Sequence, residues 1–299
     1  MEKKPLVVVN GLVRKDAIAY LKEHVDVRQW TEKTVMPREV LKEWLVDADG
    51  LWCVRPLDVD ADLVKNAPNL KVIAQAAVGY DNVNIDELTA AGIPYGNTPG
   101  VLNETVAELA FTLIATASRR IIENANFVKD GRWAQRPSNI KGFDLSRRTL
   151  GIIGMGAIGV SISRRARAFG MTVVYHNRNQ RLDDKIHKTT YMELDDLLAT
   201  SDVVCVMAPL TDETYHMCDE AFFKKMKNTA LFVNVGRGPI VDTEALINAL
   251  NTGEIDYAAL DVTDPEPLPV DHPLLEVENC LIVPHIGSYT DRTRYDMSI

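Results

Sequence analysis

The sequence has few cysteines and no long apolar run, and each absence argues against a class of protein. The four cysteines include no C-x-x-C pair, so the sequence predicts neither a disulfide framework nor a metal site of the zinc type. No apolar run approaches the roughly 20 residues of a membrane-spanning helix. The N-terminal stretch MEKKPLVVVNG lacks the apolar segment of a signal peptide. We therefore expect a cytoplasmic protein without a membrane partner.

The chain is also short of positive charge. Its 33 Lys and Arg against 42 Asp and Glu give a formal net charge of −9. This balance argues against nucleic acid or an anionic membrane surface as the main partner. A local cluster of charge must therefore attract any anionic substrate. In other respects the composition is that of an ordinary globular protein, 46% hydrophobic and 25% charged.

Short apolar runs alternate with helix-compatible segments in both halves of the chain, which predicts parallel sheets covered by helices. The strands predicted in the first half are Leu6–Val9, Val25–Trp30, Gly50–Val54, Leu70–Ala77 and Ile93–Tyr95. Those predicted in the second half are Leu150–Ile153, Thr172–Tyr175, Val203–Ala208, Leu231–Val235, Ala258–Val262 and Leu281–Val283. Between the halves we predict one long helix over Val101–Ser118, followed by a mixed, charged segment over Phe127–Arg148. That segment is either a dimer-facing arm or a surface loop.

A glycine motif lies between the first two strands of the second half. Gly154, Gly156 and Gly159 follow a predicted strand in the spacing G-x-G-x-x-G, and a predicted helix over Ile158–Phe169 begins within the motif. In dinucleotide-binding units the first glycine makes the turn, the second admits the pyrophosphate and the third lets the helix pack on the strand. The helix N-terminus offers N–H groups to phosphate. The motif predicts a dinucleotide cofactor, the alternative being a glycine-rich turn of another α/β protein.

The second strand of this unit lacks the acid that usually ends it. NAD-binding units place an Asp or Glu about 20 residues after the glycines, where it binds the ribose 2′-hydroxyl. Here residues 175–181 read YHNRNQR, and the first acid is Asp183. An arginine in that place pairs with a 2′-phosphate, so we predict NADP(H), bound by Arg178 and Arg181. The alternative is NAD(H), with both arginines as solvated loop charges.

Three further strand ends carry chemically useful side chains. Arg237 lies between two glycines, which suits a bidentate contact with a carboxylate. Asp261 ends a strand, where it is placed to accept hydrogen bonds from a cofactor amide or ribose, and Glu266 lies between two prolines. His285 follows the last apolar strand, and a His–Glu pair is what proton transfer to an oxyanion needs. Taken singly, Arg237 is also compatible with a solvated arginine in a turn, Glu266 with an acidic surface loop and His285 with a core histidine.

In the first half, two loops after strands are expected to face a ligand. They are Arg55-Pro56-Leu57 and residues 77–81. In the second of them, Gly79 permits close approach of the backbone to a ligand.

Six stretches together resemble one family. They are GYDNV at 79–83, TPGVLNETVAELA at 98–110, GIIGMGAIG at 151–159, VNVGRGPIV at 233–241, LDVTDPEPLP at 260–269 and PHIGSYTDRTR at 284–294. In this order, over nearly the whole chain, they resemble the D-isomer-specific 2-hydroxyacid dehydrogenases. Residues 260–288 look most like the glyoxylate/hydroxypyruvate reductases of that family. Family members usually continue the helix that begins in TDRTR, so the ending at Ile299 is interpreted as a clipped chain or a different closure of the first domain.

The resemblance implies an α/β fold of two Rossmann-like or flavodoxin-like parallel-sheet domains with the active site in the cleft between them. The substrate-binding domain would comprise residues 1–98 and 288–299, and the dinucleotide-binding domain residues 99–287. A homodimer built through the cofactor domain is also implied. The expected activity is reduction of a short 2-oxo acid to the D-2-hydroxy acid by hydride from NADPH.

The same resemblance implies a role for each site residue. His285 would be the general acid/base, Glu266 its orienting partner, and Arg237 the group that holds the substrate carboxylate and carbonyl. The backbone at Val78 and Gly79 would bind the same carboxylate. The predicted cofactor contacts are Gly154, Gly156, Ala157 and Ile158 at the pyrophosphate, Asp261 on the nicotinamide side, and also Gly159, Asn177, Arg178, Arg181, Pro209, Val235 and Gly287.

Alternative functions stay open at this point. Trp52, Leu57, Val78 and Tyr80 suit a pocket for either a small or a bulky group, so a reductase of bulkier 2-oxo acids is one alternative. A dinucleotide-sensing, corepressor-like binding protein is another. Phosphoglycerate oxidation is disfavoured because the sequence has no additional regulatory domain.

Overall fold

The computed structural model describes residues 4–55 and 57–299, and it forms two compact units. The first comprises Met1–Leu102 and Tyr289–Ile299, and the second comprises Asn103–Ser288. Within the described residues no helix has the length and apolarity needed to cross a bilayer.

The first unit contains a five-stranded parallel sheet. Its strands are β1 (Leu6–Val9), β2 (Asp26–Gln29), β3 (Gly50–Cys53), β4 (Val72–Gln75) and β5 (Tyr95–Gly96), in the order β2-β1-β3-β4-β5. Its helices are α1 (Lys15–His24), α2 (Arg38–Leu45), α3 (Ala61–Lys65), α4 (Ile85–Ala90) and a C-terminal helix over Asp291–Asp296. This is the flavodoxin-like strand order, in which ligands bind outside the carboxyl ends of the strands.

The second unit contains a seven-stranded parallel sheet. Its strands are β6 (Thr149–Ile153), β7 (Thr172–His176), β8 (Thr190–Tyr191), β9 (Val203–Val206), β10 (Leu231–Asn234), β11 (Tyr257–Leu260) and β12 (Cys280–Ile282). Its helices are α5 (Asn103–Ser118), α6 (Ile121–Lys129), α7 (Ala157–Ala168), α8 (Asp184–His187), α9 (Leu194–Thr200), α10 (Glu220–Lys225) and α11 (Thr243–Thr252). The order β12-β11-β10-β9-β6-β7-β8 reverses direction between β6 and β9. A reversal of this kind is where a doubly wound sheet opens a crevice for a ligand.

Both faces of the second sheet are covered, which explains its apolar strands. Leu231 and Val233 of β10 belong to one core, together with Ile114 of α5. Phe232, between them, belongs to the core on the other face, together with Leu246 of α11. Because side chains alternate along a strand, a sheet buried on both faces needs apolar residues at consecutive positions.

The register of this sheet brings three polar segments to one edge. Asn234 of β10 pairs with Leu260 of β11, and Leu260 pairs with Ile282 of β12. The chain therefore leaves β10, β11 and β12 at the same level, and Arg237, Glu266 and His285 all follow these ends.

The predicted pair of parallel α/β sheets is confirmed, but several element bounds differ from the predictions. Several strands, among them β9, β10 and β11, end one or two residues early because buried apolar residues such as Val235 and Val262 continue past the last paired position. Strands β5 and β7 end one residue later than predicted. The long helix begins at Asn103 instead of Val101. The sequence analysis missed α6, which contains Phe127, and the two-residue strand β8.

Candidate active site

The three glycines of the motif have different surroundings. Gly154 has φ +99°, and a Cβ added there would lie 2.5 Å from the amide nitrogen of Ala208. A Cβ on Gly159 would lie 3.0 Å from the carbonyl oxygen of Gly154. Around Gly156, which begins α7, an added Cβ would meet nothing within 4 Å. The first and third positions are therefore closed by protein, whereas the second faces open space that suits a pyrophosphate.

Helix α7 starts directly at this open position. Gly156 is its N-cap and makes no side-chain cap hydrogen bond. Ala157 and Ile158 form the first turn, where backbone N–H groups have no partner within the helix. Together with the positive end of the helix dipole, these N–H groups fit the phosphates of a dinucleotide.

The segment after β7 supports the glycine loop and carries its nearest charges. The Asn177 Oδ1 atom accepts a hydrogen bond from the Met155 N–H at 2.6 Å. Arg181 donates from Nη1 to the Met155 carbonyl oxygen at 2.9 Å, and its Nε and Nη2 atoms bind the two oxygens of Asp183. Arg178 is exposed, and its charge contributes to lowering the pKa of Glu213, after the hydrogen bond from Thr211 and backbone hydrogen bonding. The two arginines predicted to bind phosphate therefore lie in different environments.

Pro209 and Val235 follow neighbouring strands of the same sheet. Pro209 lies exposed after β9, where its carbonyl oxygen accepts from the Thr214 hydroxyl at 2.7 Å. Val235 is buried, and its N–H donates to the Val206 carbonyl oxygen. Both stand at the carboxyl edge of the sheet, on the same edge as the glycine loop.

His285 and Glu266 form a close pair in the second unit. The His285 Nδ1 and Glu266 Oε1 atoms are 2.6 Å apart, and the two side chains are 48% and 39% exposed. The hydrogen bond to Glu266 raises the pKa of His285, and it outweighs the lowering by burial. Burial alone would raise the pKa of Glu266, but the hydrogen bond and charge of His285 bring it below its usual value. Each partner therefore stabilises the charged form of the other.

A buried carboxylate holds the loop that carries His285. Asp261 is 2% exposed, and its two oxygens accept hydrogen bonds from the N–H groups of Ile286 and Gly287 at 2.6 and 2.9 Å. Burial raises the pKa of Asp261 in spite of these hydrogen bonds. A Cβ on Gly287 would lie 2.9 Å from the same carboxylate. In this structure Asp261, predicted to face the nicotinamide side, binds the backbone beside His285, which itself has φ +50°.

Arg237 lies where β10 leads into a short 3₁₀ turn over Gly238–Ile240. Its Nη1 atom donates to the Gly236 carbonyl oxygen at 3.0 Å. After the larger effects of the His–Glu hydrogen bond and burial, the charge of Arg237 also acts on His285 and lowers its pKa. A Cβ on Gly238 would lie 1.9 Å from the Thr263 carbonyl oxygen. The absence of a side chain at Gly238 therefore lets this turn approach the segment that carries Glu266.

Asn234 is a supporting residue that the sequence analysis missed. It is fully buried. Its Oδ1 atom accepts from the Gly236 N–H at 3.0 Å, and its Nδ2 atom donates to the Arg237 carbonyl oxygen at 2.9 Å. The signal available in the sequence is a polar residue that closes the apolar strand LFVN. Such a residue needs hydrogen-bonding partners when it is buried.

The loop after β4 in the first unit has a fixed orientation. The Val78 carbonyl oxygen accepts from Asn97 Nδ2 at 2.9 Å, and the Gly79 carbonyl oxygen accepts from Gln75 Nε2 at 2.8 Å. Of the other predicted ligand-facing loop, Arg55 and Leu57 are described, whereas Pro56 lies outside the described residues.

The described residues offer no alternative centre built on a metal or a reactive thiol. Among them no group of three or more His, Cys, Asp or Glu side chains is arranged to hold a metal ion. The cysteines are free, and burial raises their pKa, which makes them poor nucleophiles.

The second unit combines three features: a doubly wound parallel sheet, a glycine loop at its switch point, and a histidine–carboxylate pair at its carboxyl edge. Together they define an α/β dehydrogenase that uses a nicotinamide dinucleotide. The glycine loop fits such a cofactor because Gly156 leaves room for a pyrophosphate in front of α7. The family follows from residues 111–287, which match the model of the NAD-binding domain of the D-isomer specific 2-hydroxyacid dehydrogenases. The chain belongs to that family.

Full-length relatives agree with this assignment. The chain is 41% identical to a glyoxylate reductase of Korarchaeum cryptofilum, over 99% of this chain and 90% of the relative. The crystal structure of the TT0316 protein of Thermus thermophilus is 39% identical, with a TM-score of 0.92 over 98% of this chain and 93% of that one. An NADPH-dependent glyoxylate/hydroxypyruvate reductase of Sinorhizobium meliloti, solved with NADP and malonate, is 30% identical, with a TM-score of 0.87 over 99% and 91%.

Proposed function

We propose that this protein reduces a short 2-oxo acid of the glyoxylate and hydroxypyruvate class to the D-2-hydroxy acid, with NADPH as the preferred cofactor. The observation that carries the proposal is the 2.6 Å pair of His285 and Glu266 at the edge of a dinucleotide-binding sheet. Relatives named as glyoxylate or glyoxylate/hydroxypyruvate reductases support the substrate class.

His285 is the proton donor in this proposal. The bound cofactor supplies hydride to the carbonyl carbon. Glu266 occupies the Nδ1 side of the imidazole, so the Nε2–H of protonated His285 is the group that gives its proton to the carbonyl oxygen. The raised pKa of His285 extends to higher pH the range over which that proton is available.

Arg237 and the loop after β4 bind the substrate carboxylate in this proposal. A guanidinium offers two parallel N–H donors to a carboxylate, and its charge stabilises the oxyanion that forms during reduction. The Val78 and Gly79 carbonyl oxygens are bound by amide side chains, which leaves the N–H side of that loop suited to an anion.

The preference for NADPH rests on the end of β7. Arg178 is an exposed cation two residues after His176, the last residue of that strand. A negative charge there would repel a 2′-phosphate, whereas an arginine pairs with it. The relative solved with NADP is described as NADPH-dependent, which supports this choice over NADH.

A homodimer in the cytoplasm completes the proposal. Exposed apolar side chains cluster in sequence at α6 and the turn after it, with Ile121 51%, Ile122 44%, Val128 49% and Trp133 66% exposed. Burial of such a surface against a second copy would remove it from water. Light scattering on the purified protein tests this part, and a monomeric mass would contradict it.

Absorbance at the nicotinamide band, followed with NADPH and a panel of 2-oxo acids, tests the function itself. We expect the highest kcat/KM with glyoxylate or hydroxypyruvate. A higher value with bulkier acids would move the protein to the alternative substrate class. Tight dinucleotide binding without turnover of any acid would favour a corepressor-like sensor and contradict the proposal.

A further inference from the structure

The peptide groups on both sides of Met155 are held by one segment of chain, residues 177–183. Met155 lies between the first two glycines of the loop and is 1% exposed. Its N–H donates to Asn177 at 2.6 Å, and its carbonyl oxygen accepts from Arg181 at 2.9 Å. The plane of the peptide bond that leads into Gly156 is therefore set by Arg181.

Arg181 is itself fixed by three further contacts. Its Nε and Nη2 atoms bind the two oxygens of Asp183 at 2.8 and 2.7 Å, and its own N–H donates to the Tyr175 hydroxyl at 2.8 Å. His187 Nε2 lies 3.1 Å from Asp183 Oδ2, the oxygen that Arg181 Nη2 also contacts. Arg181 cannot turn towards a 2′-phosphate without breaking the ion pair and releasing the glycine loop.

We propose that Arg181 is a positioning residue, which together with Asp183 holds the phosphate-binding loop in place; this pair is called the clamp. Of the two arginines, Arg178 alone contacts the 2′-phosphate. The inference deepens the proposed function and rests on it. Since every nicotinamide dinucleotide carries the pyrophosphate, loss of the clamp should weaken NADH and NADPH alike. Loss of a 2′-phosphate ligand should weaken NADPH alone.

The decisive variant is the double substitution Arg181→Gln with Asp183→Asn, which removes the clamp and leaves the net charge unchanged. Binding of ADP-ribose and of ADP-ribose 2′-phosphate is measured by calorimetry at ~0.15 M salt, so that long-range effects on the phosphate are screened. We expect both dissociation constants to rise by roughly three- to tenfold, because the broken contacts are charge-assisted but partly exposed. Their ratio should stay within about twofold of the unmodified protein.

Two further variants serve as controls. Arg178→Gln should weaken ADP-ribose 2′-phosphate and leave ADP-ribose unchanged, which is the opposite pattern. Arg181→Lys should weaken the binding of both probes less than the double variant does, because an ammonium group reaches one of the two clamp partners. Thermal melting of each variant checks that the changes in affinity are not losses of folded protein. If the double variant does not fold, the pattern of Arg181→Lys decides.

Selective loss of ADP-ribose 2′-phosphate in the clamp variants would overturn the inference, because Arg181 would then be a phosphate ligand. Unchanged binding of both probes would overturn it as well. Equal affinity of the unmodified protein for the two probes would contradict the NADPH preference, while an equal loss in the double variant would still support the clamp. If the unmodified protein bound neither probe, the proposed function and the clamp would both be wrong.

Discussion

The glycine loop and the part of the same sheet edge that carries Asp261, Glu266 and His285, called the His285 edge, are built in opposite ways. The loop depends on absent side chains: Gly154 and Gly159 are enclosed by protein, and Gly156 leaves open space in front of α7. The His285 edge depends on added charge, since Glu266 and Asp261 hold the histidine and its loop through hydrogen bonds. We therefore expect the loop to be sensitive to added atoms and the His285 edge to be sensitive to lost charges.

The largest expected effect is at the His285 edge. His285→Ala should lower kcat for 2-oxo acid reduction by roughly 10²- to 10⁴-fold, the usual contribution of a general acid, with cofactor affinity nearly unchanged. Steady-state kinetics and fluorescence titration with NADPH measure the two quantities. His216→Asn is a matched control, because His216 also has a positive φ (+49°) but lies outside the pair. If kcat of His285→Ala stayed within a few-fold of that of the unmodified enzyme, another group would be the proton donor.

At the other region, the charge beside the loop should decide cofactor choice. Arg178→Ala should lower a roughly ten- to hundredfold preference for NADPH in kcat/KM, the value of one charge-assisted hydrogen bond, and leave NADH kinetics almost untouched. Because the contact is ionic and exposed, the preference of the unmodified enzyme should shrink as salt rises. If the unmodified enzyme had equal kcat/KM with both cofactors at low salt, Arg178 would be a solvated loop charge and not a ligand of the 2′-phosphate.

Two alanine substitutions should separate space for the ligand from space within the protein. Gly156→Ala adds a methyl group where nothing lies within 4 Å, so it should leave the melting temperature unchanged and raise the cofactor dissociation constant about tenfold, because the pyrophosphate loses its close approach. Gly154→Ala places a methyl group against Ala208 at φ +99° and should destabilise the fold by about 2–4 kcal/mol. Comparable melting temperatures for both variants would contradict this distinction.

The smallest expected effect is a shift in pH dependence. Reduction needs protonated His285, so the rate is highest below the raised pKa of His285 and falls as pH rises through it. Glu266→Gln removes the main cause of that raised pKa, and the alkaline limb of the kcat profile should move to lower pH. Asp264→Asn, which removes a negative charge from the same segment, should leave the limb in place. An unmoved limb in Glu266→Gln would mean that Glu266 does not tune the histidine.

The sequence by itself determined the two parallel sheets and the position of the glycine loop. Both follow from local rules, since consecutive apolar residues mark strands buried on two faces and the motif holds its three glycines within six consecutive residues. The sequence did not predict helix α6, because its N-cap residue, Arg120, has φ +50° and makes no side-chain cap hydrogen bond. A helix without a capping residue leaves little trace in the sequence.

Only the tertiary structure decided which partner each polar side chain takes. Asp261 and Arg181 both stand where a cofactor contact was predicted, yet Asp261 binds the amides beside His285 and Arg181 binds Met155 and Asp183. His285 and Glu266 are 19 positions apart and meet at the carboxyl ends of β11 and β12. A side chain at a strand end has several acceptors and donors within reach, and the sheet register and loop path select among them.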